Sequence, residues 1–206
     1  MWLVCAATEN ELAVWDAGLF PHCERFVSGV GIPATFAHLL PKVMGGDYSL
    51  LINLGIAGAY PGSGLAIGDI FLGLTETYAD LGMELPESPD FLPLHDTPFG
   101  GDYQRTYPLV CLQELVRANV RVVSGATVNA CTGTTETGLR RENQFNTAFE
   151  TMEGAAVAQI GHMCGVAVCE IRAISNIAAR RDMRPENIRL ALQNLREYLE
   201  ACARKQ

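Results

Sequence analysis

The nine residues Val166-Ala-Val-Cys-Glu-Ile-Arg-Ala-Ile174 are apolar except for two opposite charges set two positions apart. A run of this kind reads as a strand covered on both faces, which requires helices on both sides of a sheet. Side chains two apart share a face, so Glu170 and Arg172 point the same way. A buried charge must be paired; these two either satisfy each other or one of them serves a site. Further strands are read at 2–7, 25–29, 49–55, 69–74 and 120–124, and helices at 9–20, 33–44, 108–118, 136–148, 153–164 and 185–203. The alternation is that of an α/β layered domain, and 206 residues predict one domain spanning 1–206. The last helix is the clearest, with Pro185 at its first position and Ile188, Leu192, Leu195 and Leu199 along one face. Residues 81–107, with four prolines and Gly100-Gly101, read as a long loop of the kind that serves as a lid or mobile segment.

Net charge is −8, which argues against sequence-independent nucleic-acid binding. Positive charge gathers after residue 171, where an anionic group of a small ligand could use it; a solvated helix face explains Arg189, Arg196 and Arg204 equally well. The longest strongly apolar run, Met1 to Ala7, is far short of the ~20 residues that span a bilayer. It lacks a basic leader and passes directly into Thr8-Glu-Asn-Glu11, so it reads as a buried strand and the chain as cytoplasmic, with no membrane partner. Seven cysteines with no C-x-x-C indicate neither a disulfide framework nor a structural zinc site. The four histidines stand in no H-x-x-x-H or H-E-x-x-H, and G-x-S-x-G is absent, so neither a metal nor a serine hydrolase is expected.

Ser28-Gly-Val-Gly31-Ile-Pro-Ala34 fits the G-x-G-x-x-[GA] pattern of dinucleotide sites. In such sites a ribose-binding acid ends the next strand, whereas Asp47 here precedes strand 49–55 in a Gly45-Gly46-Asp47 turn, so the dinucleotide reading is rejected and no cofactor is expected. Leu50-Leu-Ile-Asn-Leu-Gly-Ile-Ala-Gly-Ala59 is a strand ending in tiny residues, as expected where backbone lies against a flat ligand, or simply where chains pack closely. Thr151-Met-Glu153-Gly-Ala-Ala156 starts a helix with a carboxylate, a position that dipole compensation alone can explain. Ser175 and Asn176 end the buried strand, at the carboxyl edge where open α/β sheets hold ligands.

Taken together, Ala7-Thr-Glu-Asn-Glu11, Ser28-Gly-Val-Gly31, Asn53-Leu-Gly-Ile-Ala-Gly58, Met152-Glu-Gly-Ala-Ala156 and Arg172-Ala-Ile-Ser-Asn176 resemble, in order and spacing, the nucleoside phosphorylase and nucleosidase superfamily. The resemblance covers nearly the whole chain. It leans to the hydrolytic branch that contains methylthioadenosine/S-adenosylhomocysteine nucleosidase and futalosine hydrolase, whose members cut a purine from ribose without phosphate or metal. It implies a three-layer α/β/α domain with a central mixed, twisted sheet, a small nucleoside as substrate, and a homo-oligomer of two or more copies. By the family pattern Glu11 positions and activates water, Glu153 binds the ribose hydroxyls with Met152 under the sugar, and Ser175 and Asn176 meet the purine. Thr8, Ile56, Ala57, Gly58, Val128 and Asn129 complete the implied substrate contacts. One or more of Arg105, Arg180 and Arg181 is expected at the anionic end of a futalosine-like substrate.

Two positions depart from the adenine-cleaving pattern. Ile56 stands where those nucleosidases often have Ser, which removes a polar group near the sugar. Asn176 stands where they carry Asp. An Asn amide can donate to the 6-oxo group of hypoxanthine and accept from a protonated N7, whereas Asp suits the 6-amino group of adenine. The expectation is therefore hydrolysis of a 6-oxopurine nucleoside, which within this branch points to the members that cleave futalosine. A methylthioadenosine-type nucleosidase and a purine nucleoside phosphorylase are the alternatives; the latter shares Asn176 but needs a phosphate site, and the Ser28–Ala34 loop carries no Arg or Lys. A purine-binding module without catalysis would have no use for Glu11.

Overall fold

The protein is described here by a computed structural model covering residues 1–86, 91–180 and 184–204. In chain order the strands are β1 Trp2–Ala6, β2 Cys23–Val27, β3 Leu50–Ala59, β4 Ile70–Tyr78, β5 Gly82–Glu84, β6 Phe91–Pro93, β7 Tyr107–Pro108, β8 Arg121–Thr127, β9 Phe149–Thr151 and β10 Ala167–Ile177. The helices are α1 Glu9–Leu12, α2 Ile32–Met44, α3 Thr135–Phe145, α4 Gly154–Cys164 and α5 Pro185–Ala203.

The central sheet is mixed. β1 lies parallel to β2 and β3, and β10 runs parallel to β3 over most of its length and antiparallel to β4. Parallel β8 and antiparallel β9 then return the sheet to β3, so β3, β10, β4, β8 and β9 close a ring. The mixed sheet is the one that the resemblance implies, here with a closed ring within it. The closure is possible because β3 is longer than the expected 49–55, and its extra residues Gly58 and Ala59 pair with β9, while the extra residues of β10 continue its pairing with β3.

Alternation along the strands sorts the core into the two expected helical layers. Cys169, Ile171 and Ala173 of β10 pack with Ala191, Leu195 and Leu199 of α5, while Val168 and Leu3 pack with Leu39 and Val43 of α2 and Val157 and Ile160 of α4. With β1, β3 and β10 parallel, their carboxyl ends lie on one side of the molecule, and the segments 6–11, 55–59 and 175–176 gather there. Among the described residues no helix is long and apolar enough to cross a membrane.

Three expectations fail locally. The helix at 9–20 stops at Leu12, because Asp16 accepts from the Gly18 amide (2.7 Å) in a side-chain turn that competes with helix. The stretch 108–118 is not a helix: the Leu109 and Val110 amides donate to Leu74 and Val168, and only Gln113–Leu115 turns, as a 3-10 helix. Helix α3 ends at Phe145, where Asn146 takes a left-handed conformation (φ 51°), and the chain then enters the three-residue β9. The 81–107 loop contains the hairpin β5–β6.

The α5 face provides a direct check of this layering. Leu195→Ala should destabilise the protein by ~2–5 kcal/mol, as for a fully buried leucine, while Leu190→Ala, at 44% exposure, should change stability by under ~0.5 kcal/mol. Urea unfolding of both variants checks it.

Candidate active site

A cavity of about 340 Å³ opens where β1, β3 and β10 end, and its walls bring together Thr8, Glu11, Ile56, Ala57, Gly58, Met152, Glu153, Ser175 and Asn176. Glu11 owes its position to a capping box. Its Oε2 accepts from the Thr8 amide (3.1 Å) and hydroxyl (2.8 Å), while Oε1 accepts from the Ile56 amide of β3 (3.1 Å). The helix it caps has only four residues, so this hydrogen bonding serves mainly to hold the carboxylate at the mouth of β3. A carboxylate has about four acceptor sites, which leaves capacity for a ligand or water.

Gly55 makes this approach possible. A Cβ there would sit 2.4 Å from Glu11 Oε1 and 2.5 Å from an Arg172 Nη1 atom, so only glycine lets the two side chains meet over the strand. Arg172 pairs with Gly55 in the β3–β10 register, is 1% exposed, and donates from Nε to Glu170 Oε1 (2.9 Å). Burial alone would pull its pKa down, but the carboxylates of Glu170, Glu153 and Glu11 together hold it above the ordinary arginine value. Of the two readings of the charged pair the first is observed: Glu170 and Arg172 pair with each other, and the arginine's charge also acts on Glu153 and Glu11.

Glu153 precedes α4 and turns back to accept from the Gly31 amide through Oε1 (2.8 Å). The glycine loop that resembled a nucleotide cradle therefore holds a carboxylate of its own chain, and Gly29 and Gly31 take the positive φ values that loop needs. Burial raises the Glu153 pKa; Arg172 and the Gly31 N–H oppose this, and Glu11 and Glu170 add to it. Glu11 and Glu153 thus face one cavity, with Glu150 in the same wall tied to Thr132 and Arg141.

At the third wall a β-bulge falls between Ile174 and Asn176, leaving Ser175 as the extra residue. Ser175 Oγ donates to Asn176 Oδ1 (3.0 Å) and lies 3.3 Å from the Ala57 carbonyl. With its oxygen engaged, Asn176 presents Nδ2 over Gly58, where a Cβ would lie 3.0 Å away. The amide is set as a donor toward the cavity.

Other expected residues lie elsewhere. Val128 is fully buried among Tyr60, Ala79 and Ala126, because β8 ends one residue earlier and turns it into the core. Asn129 is held on Asp80 by its backbone and side-chain amides (2.7 and 3.0 Å). Arg105 is bound to Asp96, Arg180 is exposed and outside the cavity wall, and Arg181 lies outside the described residues. Sequence reading missed Asn10, Val30, Glu150, Thr151, Ile188 and Leu192 as lining residues. Ile188 and Leu192 carried a signal, the apolar stripe of α5, which reads equally as core. Among the described residues no cluster of three or more metal-ligating side chains occurs.

Residues 25–204 match the family model described as the phosphorylase superfamily. The chain is 33% identical over 165 residues to the futalosine hydrolase of Streptomyces coelicolor, covering 77% of this chain and 67% of that one. To the futalosine hydrolase of Acidothermus cellulolyticus it is 36% identical over 184 residues, covering 85% and 72%. Among solved structures, the native futalosine hydrolase of Helicobacter pylori superposes with a TM-score of 0.77 at 15% identity, covering 100% of this chain and 97% of that one. The 5'-methylthioadenosine/S-adenosylhomocysteine nucleosidase of Neisseria meningitidis gives 0.77 at 16%, covering 100% and 99%. These two show a shared fold.

Arg172 acts electrostatically on Glu170, Glu153 and Glu11 together. Arg172→Met should lose ~3–5 kcal/mol of stability at neutral pH, as expected when one partner of a buried ion pair is removed. The deficit should shrink on acidification, because carboxyl groups left unpaired in the folded state have raised pKa values and take up protons first. Urea unfolding at pH 7 and pH 5 measures both; a pH-independent deficit would indicate lost packing alone.

Proposed function

The chain belongs to the phosphorylase superfamily, and on that premise we propose that it hydrolyses the N-glycosidic bond of futalosine, releasing hypoxanthine. The observation that carries the specificity is the Asn176 amide, oriented by Ser175 so that Nδ2 is the free donor beside Gly58. In this reading the purine lies against Gly58 with its 6-oxo group on Asn176. The ribose lies on Met152 with its hydroxyls on Glu153, and Glu11 orients a water at the anomeric carbon. As the glycosidic bond breaks, positive charge develops on the sugar between two carboxylates; the water that adds to the anomeric carbon gives up a proton to Glu11, and the departing purine anion takes one up at N7 from solvent water. The site then favours the transition state over the neutral substrate.

Hydrolysis is supported over phosphorolysis by the Ser28–Ala34 loop. Its Gly31 amide is taken by Glu153, so an anion arriving there would meet a carboxyl group, and the loop has no Arg or Lys to offset it. Beyond Ile188 and Leu192 the cavity continues into a groove of about 550 Å³ bordered by Asn10, Val14, Arg189 and Arg196. An apolar, anionic arm on the sugar fits this groove, which adds Arg189 and Arg196 to Arg180 and Arg181 as carboxylate contacts. Arg105 is set aside because Asp96 holds it.

Three measurements test the reading. Glu11→Gln should fold and bind substrate but lose at least ~10² in kcat, the lower range for a positioned acid/base group; near-normal turnover removes Glu11 from the mechanism. Asn176→Asp should lower the ratio of kcat/KM for futalosine over its 6-amino analogue by at least ~10², about 2.7 kcal/mol, because an ionised oxygen then faces the 6-oxo group. A wild type that already prefers the 6-amino substrate refutes the assignment. Among Arg180→Ala, Arg189→Ala and Arg196→Ala, at least one should lose about tenfold or more in kcat/KM, as for a charged hydrogen bond of ~1.5–3 kcal/mol. Normal hydrolysis by all three would put the carboxylate in solvent or on Arg181.

A further inference from the structure

Two more carboxyl groups lie beneath the cavity floor, where the proposed reaction gives them no task. Glu76 of β4 is 0% exposed and Glu170 of β10 is 1% exposed. Three glycines make the space they occupy: a Cβ at Gly73 would lie 3.0 Å from Glu170 Oε2, and Cβ atoms at Gly125 and Gly154 would lie 2.4 and 2.3 Å from Glu76 Oε1. The donors are divided unevenly. Glu170 Oε1 receives both Arg172 Nε (2.9 Å) and Asn53 Nδ2 (3.0 Å), whereas no N–H or O–H group among the described residues reaches Oε2. β4 runs antiparallel beside β10 with Gly73 against Glu170, and Glu76 lies three residues further along the same strand, so two fully buried carboxyl groups are neighbours and one of their oxygens, Glu170 Oε2, lacks a donor. Two ionised carboxylates so placed repel, whereas one proton held between them removes the repulsion and supplies the missing donor.

The far side of Glu76 leads to the sugar-binding turn. Its Oε2 accepts from Thr127 Oγ1 (2.8 Å), which accepts in turn from the Ala155 amide (2.6 Å). Thr151 Oγ1 accepts from the Gly154 amide (3.0 Å) and lies 3.3 Å from Thr127 Oγ1. Glu76 is therefore tied to the segment that carries Met152 and Glu153, and Glu170 is tied to Arg172.

We propose that Glu76 and Glu170 share a single proton, carried by Glu76, and act as a positioning clamp that locks Arg172 to the Thr151–Gly154 turn. The proton rests on Glu76 because hydroxyl groups are weaker partners for a charge than the guanidinium and amide that meet Glu170. The clamp then adds one negative charge beneath Arg172 instead of two, and the rest of the arginine's field acts on Glu11 and Glu153. Burial and the neighbouring Glu170 push the Glu76 pKa well up, with Thr127 and Arg172 opposing. The other titratable groups around the pair are Glu153, Glu11, Cys5, Cys169, Tyr60 and Tyr78, and burial raises both thiols and both phenols, keeping them neutral.

The role in turnover rests on the proposed function, so the test has an arm independent of activity. Difference infrared spectra at neutral pH should show a protonated-carboxyl band in the wild type that is missing from Glu76→Gln. With futalosine as substrate, Glu76→Gln should keep kcat/KM within about threefold of wild type and leave the acid limb of the pH profile in place, since glutamine supplies a neutral donor. Glu76→Ala should lose at least about tenfold in kcat, and Glu170→Gln should lose as much while its acid limb moves to lower pH, because removing a nearby negative charge eases ionisation of Glu153. Thermal melts identify variants that fail to fold. If Glu76→Gln moves the acid limb as Glu170→Gln does, or the infrared band is absent from wild type, Glu76 is ionised and the proposal is overturned. Absence of futalosine hydrolysis in wild type, with the band present, overturns the functional reading and leaves the proton assignment standing.

Discussion

The buried guanidinium of Arg172 is the interaction on which the rest of the site depends. It lies on a central strand with Glu170 beneath it, and its charge reaches Glu11 and Glu153 above. Gathering carboxyl groups in a dry interior is unfavourable unless a cation and directed donors accompany them. Here each has donors: Ile56 and Thr8 for Glu11, Gly31 for Glu153, Asn53 for Glu170 and Thr127 for Glu76. Those donors come from separate elements of the sheet and its turns. The register of β3 against β10 is therefore a condition for the chemistry as well as for the core.

The same economy explains how a phosphorylase-like framework suits water as the nucleophile. A glycine loop with two positive-φ residues and a helix behind it is a general anion-binding device. In this chain the anion is internal, the Glu153 carboxylate. The loop thereby fixes the Glu153 carboxyl at the cavity wall, and its Gly31 amide is already engaged. At the opposite wall one inserted residue, Ser175, bends the end of β10 and orients Asn176. In the proposed function these two local backbone features bear on the two chemical questions, which nucleophile is used and which purine edge is read.

Much of this could be read from the letters. The apolar run 166–174 located the central strand and its charged pair because burial on both faces leaves few other readings. The apolar stripe from Ile188 to Leu199 located α5. The reading failed where non-local pairing overrode local pattern: residues 108–118 have helix-compatible composition, but their amides are claimed by Leu74 and Val168. The three residues of β9 are too few to show a period, and the ring closure depends on them. Glu11 and Glu153, which the structure brings to one cavity, are singled out in the sequence only by resemblance, since each alone is an ordinary helix-start carboxylate. Glu76 was not found, because a lone glutamate in Leu72-Gly-Leu-Thr-Glu76-Thr carries no sign that it meets Glu170 from another strand. The groove behind α5 was hidden for a related reason: Ile188 and Leu192 look the same whether they cover core or line a cavity.

The most direct measurement is purine release by the purified wild-type protein from futalosine, inosine and methylthioadenosine, each with and without inorganic phosphate. The account predicts free hypoxanthine from futalosine at a rate that phosphate does not change, no sugar phosphate among the products, and at least ~10² lower kcat/KM for methylthioadenosine. Adenine release in preference to hypoxanthine, or turnover that requires phosphate and yields a sugar phosphate, would contradict it.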